Sequence, residues 1–237
     1  MSNPLVAKLG SVAALSADDR RVLEAICTDR RTFTERKDIV REGERPEHIH
    51  VLMAGWAARY KTLPDGSRQI TAFVLPGDTV DMGAAVLNYA DHSVIALTPV
   101  AIAKVTRRLL MQTTRERPVL AQAFWWAGLV DEAVLRTWIV NLGRRDAYTR
   151  VAHLVCELHA RLKRIGMAKE EEFGLPLTQE QLADALGLTS VHINRTLQRL
   201  RFEGVLSIRH HVLTIHDVER LRAVAGFRPN YLHQTAT

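Results

Sequence analysis

Between Leu177 and Leu200 the chain places a small group of polar and basic side chains at helical spacing. Ile193, Leu197 and Leu200 form an apolar stripe, which leaves Ser190, Val191, Asn194, Arg195 and Arg199 off the core, with His192 beside them. A small, polar and basic helical face of that kind suits the DNA major groove, where side chains meet base edges and phosphates. Arg195 lies in the first half of the predicted helix, where side chains reach bases. Arg199 lies one turn further on, where a phosphate is the expected partner.

Two helices and a glycine turn must position that face. Thr178 is placed to cap the first helix, and Leu182, Ala185 and Leu186 follow as its buried side. Gly187 ends it, because glycine enters the left-handed conformation without steric cost. Thr189 then caps the second helix. Helix, glycine turn and capped helix within about two dozen residues predict a helix-turn-helix. After it, Leu206–Ile215 reads as two short strands around Arg209, His210 and His211, a wing with a tight turn. A small leading strand is expected near Leu175–Leu177, a solvated charged loop at Lys169–Glu172, and a last helix capped by Asp217 and running through Val224.

The 237 residues allow one large or two ordinary domains, and 47% hydrophobic content can fill real cores. A net charge of +6 is permissive for a polyanionic partner. Cys27 and Cys156, the only cysteines, exclude a four-cysteine cluster within one chain and a disulfide framework, which favours the cytosol. No signal sequence or membrane-spanning apolar run is visible, so no membrane partner is expected.

Ahead of the helix-turn-helix, Ser16 to Asp19 resembles a capping box followed by Val22, Leu23 and Ile26. Short runs at Ile49–Met53, Ala57–Tyr60, Gln69–Leu75 and Val94–Ala96 alternate with Gly43, Gly55, Gly66 and Gly77, which predicts an antiparallel roll or sandwich. Pro118 then opens a long helix to about Leu142. Its apolar face carries Leu120, Phe124, Ala127, Val130, Val134 and Trp138, widened by Trp125, Trp126, Leu129 and Leu135. Such a helix is either core for both flanking domains or pairs with its own copy, and pairing is the preferred reading. Gly143–Asp146 is the expected hinge before a helix over Ala147–Ile165. The predicted class is α+β: an antiparallel β-roll with a helical cap (1–116), a dimerisation helix and hinge (117–143), and a winged helix-turn-helix (144–237).

This order resembles the Crp–Fnr superfamily of bacterial transcription regulators, which includes the cyclic AMP receptor protein. The resemblance runs from about Leu15 to Phe227. It is most specific over Leu177–Leu206, and Gly43, Gly55, Gly77 and Asp78 match roll positions. It implies a homodimer, an effector-sensing roll, signal transfer along paired long helices, and two recognition helices reading a near-palindromic operator in double-stranded DNA. RNA polymerase is a candidate further partner. Arg195 matches the arginine that the family sets on a guanine, a bidentate contact that discriminates by about 1–3 kcal/mol. Thr189 and Gln179 match phosphate-contacting positions at helix N-termini, where free N–H groups favour anions. Thr178 joins the candidate DNA contacts, and Ser190 and Asn194 match base-facing or backbone-facing positions. Val191 departs from the glutamate of the familiar members, so a different operator is expected.

The effector site departs further. Where cyclic-nucleotide binders carry Gly-Glu-Leu and then an arginine pair, this chain has Asp81-Met82-Gly83 and His92-Ser93. Without that arginine a cyclic phosphate lacks its main countercharge, so cyclic AMP is not the expected effector. No cofactor is predicted. Haem is the alternative, with His48, His50 or His92 as candidate axial ligand. A cupin-like metal enzyme using His48, His50 and His92 is the competing class. Strand alternation opposes it, because Ile49, Val51 and Met53 share the face that belongs inside. The ligand carboxylate expected near Met53–Gly55 is missing too.

Overall fold

The computed structural model describes residues 3–233. Two short helices, α1 (Pro4–Gly10) and α2 (Ala17–Ile26), open the chain. α2 starts on the expected capping box: the Ser16 hydroxyl accepts from Asp19 N, and the Asp19 carboxylate accepts from Ser16 N. Strands β1 (Arg30–Phe33), β2 (Asp38–Val40), β3 (His48–Ala54), β4 (Ala57–Thr62), β5 (Arg68–Val74), β6 (Ser93–Ala96) and β7 (Val100–Thr106) follow. They pair antiparallel as β1-β7-β3 and β2-β6-β4-β5.

The punctuating glycines are required by the backbone. At Gly55 (φ 82°) an added Cβ would lie 2.3 Å from the Pro99 carbonyl oxygen. At Gly77 (φ 88°) it would lie 2.5 Å from that of Pro4, so a side chain there would push α1 off the roll.

In sheet β1-β7-β3 the strands β3 and β7 bury residues on both faces, while the edge strand β1 is largely exposed, which corrects the one-sided expectation. Ile49 and Val51 pack against Leu5, Leu9, Leu23 and Ile26 of the helical cap. On the opposite face Leu52 and Ile102 fill the roll interior with Val40, Val74 and Val94. His48 and His50 share the face of Leu52, and burial first, then the neighbouring His48, holds His50 neutral with a pKa of about 4.

Helix α3 (Arg107–Glu116) leads into α4 (Pro118–Arg144), with Pro118 at its first position, where no amide donor is needed. Asp146 caps α5 (Ala147–Arg164). The remainder comprises β8 (Glu172–Gly174), α6 (Gln179–Leu186), α7 (Ser190–Phe202), β9 (Leu206–Arg209), β10 (Val212–Ile215) and α8 (Val218–Ala225). The leading strand thus lies three residues before its expected place, and Glu172 is paired in it rather than solvated in a loop.

α4 is core for both halves of the chain. Leu120, Phe124 and Ala127 pack with the helical cap. Val130, Val134 and Trp138 pack with Phe73 of β5 and with Val151, Leu154 and Leu158 of α5. All six are at most 8% exposed within the single chain, so the face expected to pair with a second copy is already covered. What stays uncovered is the widening of that face, Trp125 (72% exposed), Leu129 and Leu135, together with Ile139 (69%). Among the described residues no helix is long and apolar enough to cross a membrane.

Candidate nucleic-acid interface

α6 and α7 meet at Gly187, whose φ of 60° closes the turn. The Thr178 hydroxyl accepts from Gln181 N at 3.1 Å, and Thr178 N donates to the Gln181 side chain at 2.9 Å. Thr189 caps α7 through His192 N at 3.3 Å. Ile193 and Leu200 are fully buried, and Leu197 is half-buried beside them. This holds α7 with Ser190, Val191, His192, Arg195, Gln198 and Arg199 exposed and Asn194 half-buried. The expected reading face is therefore on the surface as one patch.

Within that patch the side chains differ in freedom. Asn194 Nδ2 donates to Gln179 Oε1 at 3.2 Å, so the amide expected at a base or the backbone and the one expected at a phosphate hold each other. Arg199 is engaged inside the domain. Its Nε donates to Glu203 at 2.8 Å, and its guanidinium lies 4.2 Å over the Tyr148 ring. Tyr148 also donates to Glu203, and burial together with that carboxylate pushes its phenol up to about 12. Arg220 donates to the Glu203 carbonyl at 2.8 Å. Arg199, expected at a phosphate, thus also helps to fasten the end of α7 to α5 and α8. Arg195, one turn before it on the same side of α7, stays exposed.

The wing pairs Arg209 with Val212, so His210 and His211 alone make the turn, with φ of 48° and 61°. Both positive values are those of a type I′ hairpin, for which glycine and asparagine are the usual residues.

Sequence reasoning missed what aims this interface. Arg150 donates to the carbonyls of Arg145, Leu186 and Leu142, which joins the ends of α4 and α6. Arg68 of β5 binds Asp184 of α6 at 2.6 Å, and Gln69 donates to the Ala185 carbonyl, so the roll touches the helix-turn-helix directly. Arg161 of α5 binds Asp78 of the roll. An isolated arginine carries no sequence signal for a partner dozens of residues away.

The candidate effector residues are held by different neighbours. Asp81 is buried ahead of a 3₁₀ turn over Met82–Ala85, and Met82 packs on the helical cap. An added Cβ at Gly83 would lie 3.0 Å from the Asp81 carboxylate. His92 binds Asp91 through Nδ1, and its Nε2 is buried without a hydrogen-bond partner among the described residues. The Ser93 hydroxyl accepts from Glu42 N. The neighbouring cations are committed. Arg59 donates to the carbonyls of Thr79 and Val80 and to Asp131 of α4 at 3.0 Å, and Arg68 holds Asp184. Among the described residues, no group of three or more His, Cys, Asp or Glu side chains is arranged to hold a metal ion.

Comparison with known proteins agrees with this architecture. Residues 149–224 match the Crp-like helix-turn-helix domain, and residues 30–117 match the cyclic nucleotide-binding domain. The nitrogen fixation regulation protein FixK of Bradyrhizobium diazoefficiens is 28% identical over 82% of this chain and 81% of its own. The transcriptional activatory protein AadR of Rhodopseudomonas palustris is 30% identical over 78% of this chain and 76% of its own. The solved structure of FixK2 from Bradyrhizobium japonicum superimposes with a TM-score of 0.75 at 25% identity, covering 84% of this chain and 98% of that one.

Proposed function

The chain belongs to the Crp–Fnr superfamily and is a sequence-specific DNA-binding transcription regulator, and from its geometry we propose how it reads and is gated. The capped and exposed face of α7 carries the reading. Arg195 and Asn194 contact bases, with Ser190 and Val191 beside them and Thr178, Gln179, Thr189 and His192 against the backbone. Two copies pair through the uncovered face of α4 and place two recognition helices about 34 Å apart, one turn of duplex. The functional division follows: a sensing roll over 1–116, a pairing helix over 117–143, and a reading domain over 144–237. Relatives described as activators favour a productive contact with RNA polymerase.

The roll gates reading without cyclic AMP. His92 stands where the resemblance puts the phosphate-binding arginine, and the nearby cations Arg59 and Arg68 already hold Asp131 and Asp184. The same two pairs connect the roll to α4 and α6, so a change in the roll is felt at both. Nothing comparable supports the metal-enzyme reading, since the relatives found are regulators. In vitro selection of bound duplexes tests the proposal. A near-palindrome with half-sites one helical turn apart is expected, and enrichment of single, unpaired half-sites would refute the paired reading.

A further inference from the structure

A cavity of about 480 Å³ lies between α5 and α8, away from the reading face and outside the roll. That size is within the range of small-molecule sites. Cys156, His159 and Lys163 line it from one face of α5, three or four residues apart, and Ala160 and Arg164 line it from the adjoining positions, four apart. Its floor is apolar: Ile215, Leu221 and Phe227 line it and are almost fully covered. Its charge has one sign. Lys163, Arg164 and Arg222 line it, and among the described residues no carboxylate does.

The three cations are not equally satisfied. Lys163 and Arg222 have exposed partners in Glu170 and Glu219, contacts that water and salt weaken. Arg164 has no carboxylate within salt-bridge reach among the described residues. Its Nε donates to the Ser11 hydroxyl at 2.6 Å and its Nη1 to the Leu232 carbonyl at 3.2 Å. Its guanidinium lies 4.5 Å over the Trp126 ring, and Nη2 is buried without a hydrogen-bond partner. Burial lowers its pKa from the ordinary value. A half-buried guanidinium without a countercharge is costly, and an anion would relieve it.

We propose that this cavity binds an amphipathic monocarboxylate, with the carboxylate on Arg164 and an acyl or aromatic body on the Ile215–Leu221–Phe227 floor. Lys163 and Arg222 at the lining add attraction for the anion. To meet the carboxylate, Arg164 turns from Ser11, which directly follows α1. The site is therefore coupled to the contact between the helical cap and the reading domain. Only that consequence rests on the regulator reading; the binding itself does not.

Calorimetry on the full chain tests it, with decanoate and 3-phenylpropionate as probes and decanol as the uncharged control. Saturable binding of at least one acid is expected, with none by decanol. Arg164→Gln should weaken it about tenfold, the loss of one charge-assisted contact. Val218→Phe, at the half-buried rim, fills the cavity and should abolish binding without removing charge. Circular dichroism verifies that each variant folds. The proposal is overturned if neither acid binds, if decanol binds equally, if Val218→Phe binds as the native chain does, or if binding is seen only after deletion of residues 234–237. Operator affinity is measured on the same samples by anisotropy. Acid binding by a chain that binds no DNA would remove the regulator reading and leave the site standing.

Discussion

Arg161, on the first helix of the reading domain, donates to the Asp78 carboxylate of the roll at 2.8 Å, and both side chains are largely shielded from water. Asp78 also accepts from Lys8 of α1 at 2.6 Å and from Leu75 N at 2.8 Å. Arg161 further donates to the Phe73 carbonyl at 2.9 Å. One carboxylate thus joins the helical cap, the roll and the reading domain. Without the Asp78 charge Lys8 loses its ion pair and Arg161 keeps only the longer contact to buried Glu157 at 3.5 Å, a break that for a buried pair costs about 3–5 kcal/mol. Asp78→Asn should lower the unfolding free energy by about that amount, and a loss under about 1 kcal/mol in denaturant titrations would show that the pair is not a clamp.

Stability should fall with acid in two windows. Burial holds His153 neutral with a pKa near 3, aided by Arg145, and burial and His48 hold His50 near 4. Unfolded histidines titrate near 6.5, so the unfolded chain takes up the protons first and stability declines as pH falls below about 6.5. Burial alone would raise Asp78, but Lys8 and Arg161 overcome it and hold the carboxyl at about 2. Its contribution is present above about pH 4 and is lost as pH falls through 2. Denaturant midpoints measured across this range give the profile. A stability that stays flat from about pH 7 to 5 would mean that the histidines are not buried neutral.

Charges on the two faces of α4 should have opposite effects. Ile139→Glu, on the uncovered face, should leave a folded monomer that binds its operator weakly. Val134→Glu places a charge in the core shared by Phe73 and Leu154 and should unfold the chain. Sedimentation and circular dichroism separate the two. An intact dimer of Ile139→Glu would place the pairing surface elsewhere.

Arg195→Ala should cost about 1–3 kcal/mol in operator affinity and relax the preference at one base pair per half-site. Arg199→Ala should instead lower affinity for every sequence and destabilise the reading domain, because it removes the contacts to Glu203 and Tyr148. Tyr148→Phe should reproduce part of that loss without removing any cation. Anisotropy on single-base operator variants is the readout. An unchanged base preference in Arg195→Ala would transfer reading to Ser190, Val191 or Asn194.

Cyclic AMP at millimolar concentration should give no saturable heat. Saturable heat that vanished in Arg59→Gln would show that Arg59 leaves Asp131 to bind the phosphate.

The sequence by itself determined the elements whose cause is local. Thr178, Thr189 and Asp217 cap helices within three residues of themselves, Gly187 must take a positive φ, and Ser16 pairs with Asp19. The order roll, long helix and winged helix-turn-helix followed from such signals, and so did the outward set on α7. Only the tertiary structure decided which face of α4 is spent inside the chain. That helix is apolar nearly all round, so periodicity cannot say whether Val134 or Ile139 meets the protein's own core. The fates of Arg59, Arg150, Arg161 and Arg199 were equally illegible. A guanidinium binds carbonyls and carboxylates alike, and which of them lies within about 3 Å is set by how distant segments pack.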